Sequence, residues 1–140
     1  MYAPAVGVIG LHHVAMAVDD LGAAVATYTR LFGARVELRG RIESQGVDAV
    51  YLRLGGGRVE LVTPLAADTP VGRFLAKRGP GMHHVAFEVE SVEEAVDGLT
   101  RGGASVIDCE PRRGLAGHEV AFVHPDSLHG VLAEVVAHGG

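Results

Sequence analysis

Cys109 is the chain's only cysteine. It cannot close an internal disulfide, which points to a reducing compartment. Long apolar runs are missing as well: none approaches the roughly 20 residues of a membrane-spanning helix. The opening MYAPAVGVIG has neither the basic start nor the apolar core of a secretory signal. The expected location is therefore the cytoplasm. Tryptophan is absent and aromatic residues make up only 5%, too few to build a groove on stacked rings. Positive charge is scarce: 12 Lys and Arg stand against 17 Asp and Glu, for a net charge of −5. No basic cluster of the kind a phosphate backbone requires is present, which argues against nucleic acid as a partner.

What remains is an ordinary globular composition, 48% hydrophobic and 21% charged, in a chain sized for one domain or two small halves. It is internally repeated. LHHVAMAVDDLGAAV at 11–25 lies over MHHVAFEVESVEEAV at 82–96, and after one dropped residue GARV at 33–36 answers GASV at 103–106. Each half reads as a strand with the His doublet, a helix, then three short strands. The helices are expected at about 20–32 and 92–102, stopping at Gly33 and Gly102, the second opened by a Ser91-x-x-Glu94 capping box. The strands are expected at ARVELRG, VDAVYLRL and GRVELVTP, then at ASVIDCE, HEVAFVHP and GVLAEVVA. Gly55-Gly56-Gly57 supplies a tight turn. The fold class expected is α+β: two tandem βαβββ modules, about 9–64 and 81–136, forming a cupped, open-barrel mixed sheet as one domain. A short linker at about 68–79, helical in VGRFLAKRG, joins them.

Side chains alternate along a strand. His12 shares a face with Val14, Met16 and Val18; His13 shares the other with Ala15 and Ala17. His83 goes with Val85, Phe87 and Val89, and His84 with Ala86 and Glu88. The bulky set belongs under the helix, so His13 and His84 face the hollow. The last strand of each half carries one carboxylate in an apolar run, Glu60 in VELV and Glu134 in LAEVV. Burying either requires a partner or a metal. Two imidazoles and two carboxylates in repeat-equivalent slots suit zinc, nickel, cobalt, manganese or ferrous iron, with positions left open. Taken singly, a strand histidine is more often structural, and a strand glutamate often merely wet.

The whole pattern resembles the vicinal oxygen chelate superfamily, the glyoxalase fold, over about residues 9–136. Within it ESQGVDAVYLRLG, TPVGRFLAKRGPGMHHVAFEV, EPRRGLAGHEVAFVHP and HGVLAEVV are similar to the methylmalonyl-CoA epimerase family. The resemblance implies His13, Glu60, His84 and Glu134 as ligands of one divalent ion, with Co, Mn, Zn, Ni and Mg undistinguished. It implies proton transfer at C2 of methylmalonyl-CoA or a related acyl-CoA through an enolate, in a homodimer. Glu134 is the first choice as base and Glu60 a candidate second. The family's further glutamate falls on Ala49; neighbouring Asp48 should face away unless a bulge intervenes. HPDS replaces the family's frequent HPKS, placing Asp126 where a cation often stands. Arg112, Arg113 and Lys77 are candidates for the CoA phosphates, more plainly read as surface charges. His118, His124 and His129 read as structural or surface residues.

Other readings share the fold. A glyoxalase I-like isomerase or lyase uses the same ligand set. A non-catalytic antibiotic-binding protein lacks a metal set and uses aromatic grooves. A ring-cleaving dioxygenase needs two histidines and one carboxylate, so Glu60 counts against it.

Overall fold

The computed structural model describes residues 3–108 and 110–139; Cys109 lies outside them. The chain divides into two compact units, one formed by His13–His83 and the other by the chain up to His12 together with His84 onward. Both boundaries fall at a histidine doublet. Among the described residues no helix is long and apolar enough to cross a membrane.

In the His13–His83 unit, the second half of strand β1 (Val8–Ala17) leads into helix α1 (Leu21–Phe32). Asp20 caps the helix by accepting the Ala23 N–H at 3.0 Å. Gly33 ends it in the left-handed conformation at φ 68°, where a side chain would be strained. Strands β2 (Arg35–Ile42), β3 (Val47–Leu54) and β4 (Gly57–Pro64) follow. β2 runs two residues past the expected Gly40. Leu54 pairs with Gly57, so Gly55 and Gly56 alone make the hairpin turn and Gly57 already belongs to β4. β3 is antiparallel to both β2 and β4, and β4 lies parallel to β1. One sheet face carries Val50, Leu52 and Leu61 against Leu21 and Ala34, with Met16, Val18 and Tyr28 packed around them. That is the bulky set expected under the helix. Helix α2 (Pro70–Arg78) is the expected linker helix; Thr69 caps it and Pro70 sits at its first turn.

The other unit repeats the pattern with one break. Strand β5 (Gly81–Val89) precedes helix α3 (Val92–Arg101), where Ser91 accepts the Glu94 N–H at 3.2 Å. The helix stops at Gly102 as expected, but without the left-handed turn there. Gly102 is right-handed at φ −78°, and it is Gly103, at φ 92°, that turns the chain away. Strands β7 (Glu119–Val123) and β8 (Ala133–Ala137) form as antiparallel partners, and β8 lies parallel to β5. The strand expected at ASVIDCE does not form among its described residues. Only an isolated bridge, Val106 to Val123, remains. Asp108 is the reason: its Oδ2 accepts the Phe122 N–H at 2.8 Å, taking the donor that a strand carbonyl would take. A two-residue strand, β6 (Arg112–Arg113), then pairs with β7. The core of this unit is Val89, Val92, Ala95, Ala121 and Val135, with Val6 packed on it. The segment before β1 thus lies against α3. A Cβ at Gly98 would stand 2.1 Å from the Ala5 carbonyl oxygen, so that contact requires glycine.

Candidate functional site

Strand register builds the site from residues far apart in sequence. In β1, Ala15 pairs with Glu60 of β4, and Glu60 pairs with Tyr51 of β3. Paired residues share a sheet face, so His13, Glu60 and Tyr51 all stand on the face opposite α1. His13 and Glu60 are buried, 2% and 3% exposed, and His13 Nε2 lies 3.3 Å from Glu60 Oε1. Burial, and then the Arg58 charge, lower the His13 pKa to about 3. The carboxylate beside it favours the cation, but desolvation of a group this deep outweighs it. His13 is therefore a neutral imidazole with a lone pair to offer.

The second unit matches this slot for slot. Glu134 of β8 pairs with Ala86 of β5 and with Phe122 of β7. His84 Nε2 lies 3.9 Å from Glu134 Oε1, with both residues buried. The Phe122 ring meets His84 edge-on at 5.2 Å, and the Tyr51 ring meets His13 at the same 5.2 Å. Two ligands about 2.0–2.2 Å from one ion lie about 3–3.5 Å apart. The His13–Glu60 separation fits that edge, and the His84–Glu134 separation is a few tenths of an ångström wider. Neutral imidazole nitrogen and carboxylate oxygen are also the right donors for a borderline divalent ion, so each pair fits a metal.

The comparisons with known proteins give the family. The Glyoxalase/Bleomycin resistance protein/Dioxygenase superfamily model matches residues 12–122. The chain belongs to that superfamily. It is 38% identical to the human mitochondrial methylmalonyl-CoA epimerase over 126 residues, 89% of this chain and 72% of the relative. It is 39% identical to an ethylmalonyl-CoA/methylmalonyl-CoA epimerase of Cereibacter sphaeroides, covering 89% and 95%. The crystal structure of methylmalonyl-CoA epimerase from Mycobacterium tuberculosis matches with a TM-score of 0.93 at 31% identity, covering 100% of this chain and 94% of that one. The glyoxalase fold is thus the fold of this chain.

For this glyoxalase-superfamily member, several residues singled out in the sequence have other work. Asp48 lies opposite to Ala49, the register through Val47–Leu54 is unbroken, and Asp48 faces Arg41 at 3.6 Å. No bulge brings it round. Arg112 Nε holds the buried Asp108 at 2.5 Å, and Arg113 donates to the Gly117 carbonyl at 2.8 Å. Lys77 is exposed on α2. His12 packs near His118, rings 6.1 Å apart. His83 meets Phe74 of α2 edge-on at 5.0 Å, and burial lowers its pKa against the opposing pull of Glu60. His124 Nδ1 caps a short 3-10 helix at 125–128, accepting the Asp126 N–H, and His129 closes that helix at φ 58°. Sequence reasoning missed Tyr51, Phe122 and Arg58. The signal was available for the two rings, which occupy equivalent slots in AVYL and VAFV.

Proposed function

We propose that the chain is a methylmalonyl-CoA epimerase, inverting C2 of methylmalonyl-CoA or a related 2-substituted malonyl-CoA. The observation that carries this is the pair of buried His/Glu sets in repeat-equivalent slots, in a chain whose relatives bear that name. His13, Glu60, His84 and Glu134 would hold one divalent ion. When bound, it would supply Lewis-acid charge for the oxygen that becomes anionic as C2 loses its proton. Glu134 removes the C2 proton at a carboxylate oxygen. A second group returns one on the opposite side. Glu60 is the candidate, because Ala49 has no ionisable group and Asp48 is on the other face. Burial of His13, Glu60, His84 and Glu134 keeps bulk water from competing for the proton.

The two modules act as a single domain in this reading. A homodimer is supported by Val8, Ile9 and Leu11, 47–66% exposed along the first half of β1, and sedimentation velocity checks it. A cytoplasmic site is supported by the single cysteine.

The test is mass spectrometry of methylmalonyl-CoA incubated in D₂O with protein loaded in turn with Co, Mn, Zn, Ni and Mg. Deuterium at C2, abolished by a chelator, is expected. No exchange with any ion, together with turnover of a glutathione hemithioacetal, would move the chain to the glyoxalase I-like reading.

A further inference from the structure

β2 carries a bulge. Val36 pairs with Leu52 and Leu38 with Tyr51, leaving Glu37 without an opposite residue on β3. Bulges re-aim side chains, and this one delivers Glu37 to two arginines. Arg58 donates to it through Nε at 2.6 Å and Nη2 at 3.2 Å, and Arg53 Nε lies 3.0 Å away. Arg53 and Arg58 pair directly across β3 and β4, a like-charge opposition that is unfavourable without the shared carboxylate. The Arg58 hydrogen bond leads in holding the Glu37 carboxyl below its usual range. With Arg58 fixed by two bonds, its guanidinium lies over the Tyr51 ring, 5.2 Å from the centroid. That ring is 5% exposed and lies 5.2 Å from the His13 imidazole at a 48° tilt.

From this chain of contacts we infer that Glu37, Arg58 and Tyr51 are positioning residues that hold the His13 imidazole in its orientation for the ion. The inference rests on the ligand assignment proposed above. The other half shows what is special. The residue two before Glu134 is Leu132, where Arg58 stands two before Glu60, and Phe122 replaces Tyr51. A ring beside the histidine is common to both halves. The ring is therefore the element that orients the histidine, and among the described residues the cation seen over such a ring is Arg58 in the first half. A ligand whose rotamer is locked by packing binds without first ordering itself.

The test is titration of cobalt(II) into the chelator-stripped full chain, followed by visible absorption and calorimetry. Tyr51→Phe is expected to bind within threefold of the parent with the same spectrum. Tyr51→Leu is expected to bind 10- to 100-fold more weakly with a shifted band. Arg58→Met is expected to weaken binding threefold to tenfold and is decisive if Tyr51→Leu does not fold. Parent-like affinity in both Tyr51→Leu and Arg58→Met overturns the inference. So does a loss in Tyr51→Phe as large as in Tyr51→Leu, which would give the role to the hydroxyl. If the parent binds no cobalt, the ligand assignment fails instead. The His13 ring resonances then decide the positioning role in the same chelator-treated proteins. One sharp set in Tyr51→Phe with averaging in Tyr51→Leu upholds it, and identical spectra overturn it.

Discussion

The buried imidazole of His13 makes the stability of the metal-free protein depend on pH in a calculable way. Its folded pKa of about 3 lies below the ordinary value of 6.5. The unfolded chain takes up a proton as pH falls through 6.5, and the folded chain does not until about 3. Stability from this group is therefore complete above pH 6.5 and is lost progressively as pH falls toward 3. At pH 5 the gap of about 1.5 units, at roughly 1.4 kcal/mol each, amounts to about 2 kcal/mol. That is a large part of a net stability of about 5–15 kcal/mol, and equals roughly 6–8 °C in Tm for a chain of this size. The assay is urea unfolding in chelator at pH 7.5 and pH 5, for the parent and for His13→Gln. Gln reaches Glu60 from the same position without titrating. His84, Glu134 and His83 are common to both proteins, so the difference between the two losses reports His13 together with its contact to Glu60. A parent that loses about 2 kcal/mol more than the variant is expected. Equal losses, within about 0.5 kcal/mol, would refute the claim that His13 is held neutral by burial.

Other perturbations follow from the same geometry. Glu134→Gln should lower deuterium exchange at C2 by 10²- to 10⁴-fold in metal-loaded protein, measured by mass spectrometry, because a neutral amide cannot take the proton. Asp108→Ala should destabilise by about 1–3 kcal/mol in urea unfolding, since the Phe122 N–H loses its acceptor; Asp108→Asn should recover part of that loss, because its carbonyl still accepts. Gly98→Ala should lower stability by about 1–3 kcal/mol and expose the segment before β1 to proteolysis, because the new methyl meets the Ala5 carbonyl. Leu61→Ala, emptying a fully buried position under α1, should cost about 2–5 kcal/mol.

Much of the fold was legible because its signals are local or repeated. Asp20 and Gly33 bound α1, Ser91 opens α3, and alternation sorts His13 from Val14 using only neighbours along the chain. The duplication then carried the reading of one half to the other. It failed where one side chain overrode the pattern: Asp108 resembles a strand residue in ASVIDCE until its carboxylate captures the Phe122 N–H. Glu37 likewise belongs to a plain alternating VELRG, and no local rule marks the bulge that turns it toward Arg58.

The sequence by itself determined that there are two histidines and two carboxylates in equivalent slots, because residue identity and period two are properties of a single strand. Tertiary structure alone decided how deep those groups lie, that Tyr51 stands against His13, and that Glu37 clamps Arg58 over the Tyr51 ring. Those facts depend on strand register. Register joins Leu38 to Tyr51 and Tyr51 to Glu60, and it is set by packing over the whole sheet rather than by any stretch of sequence within it.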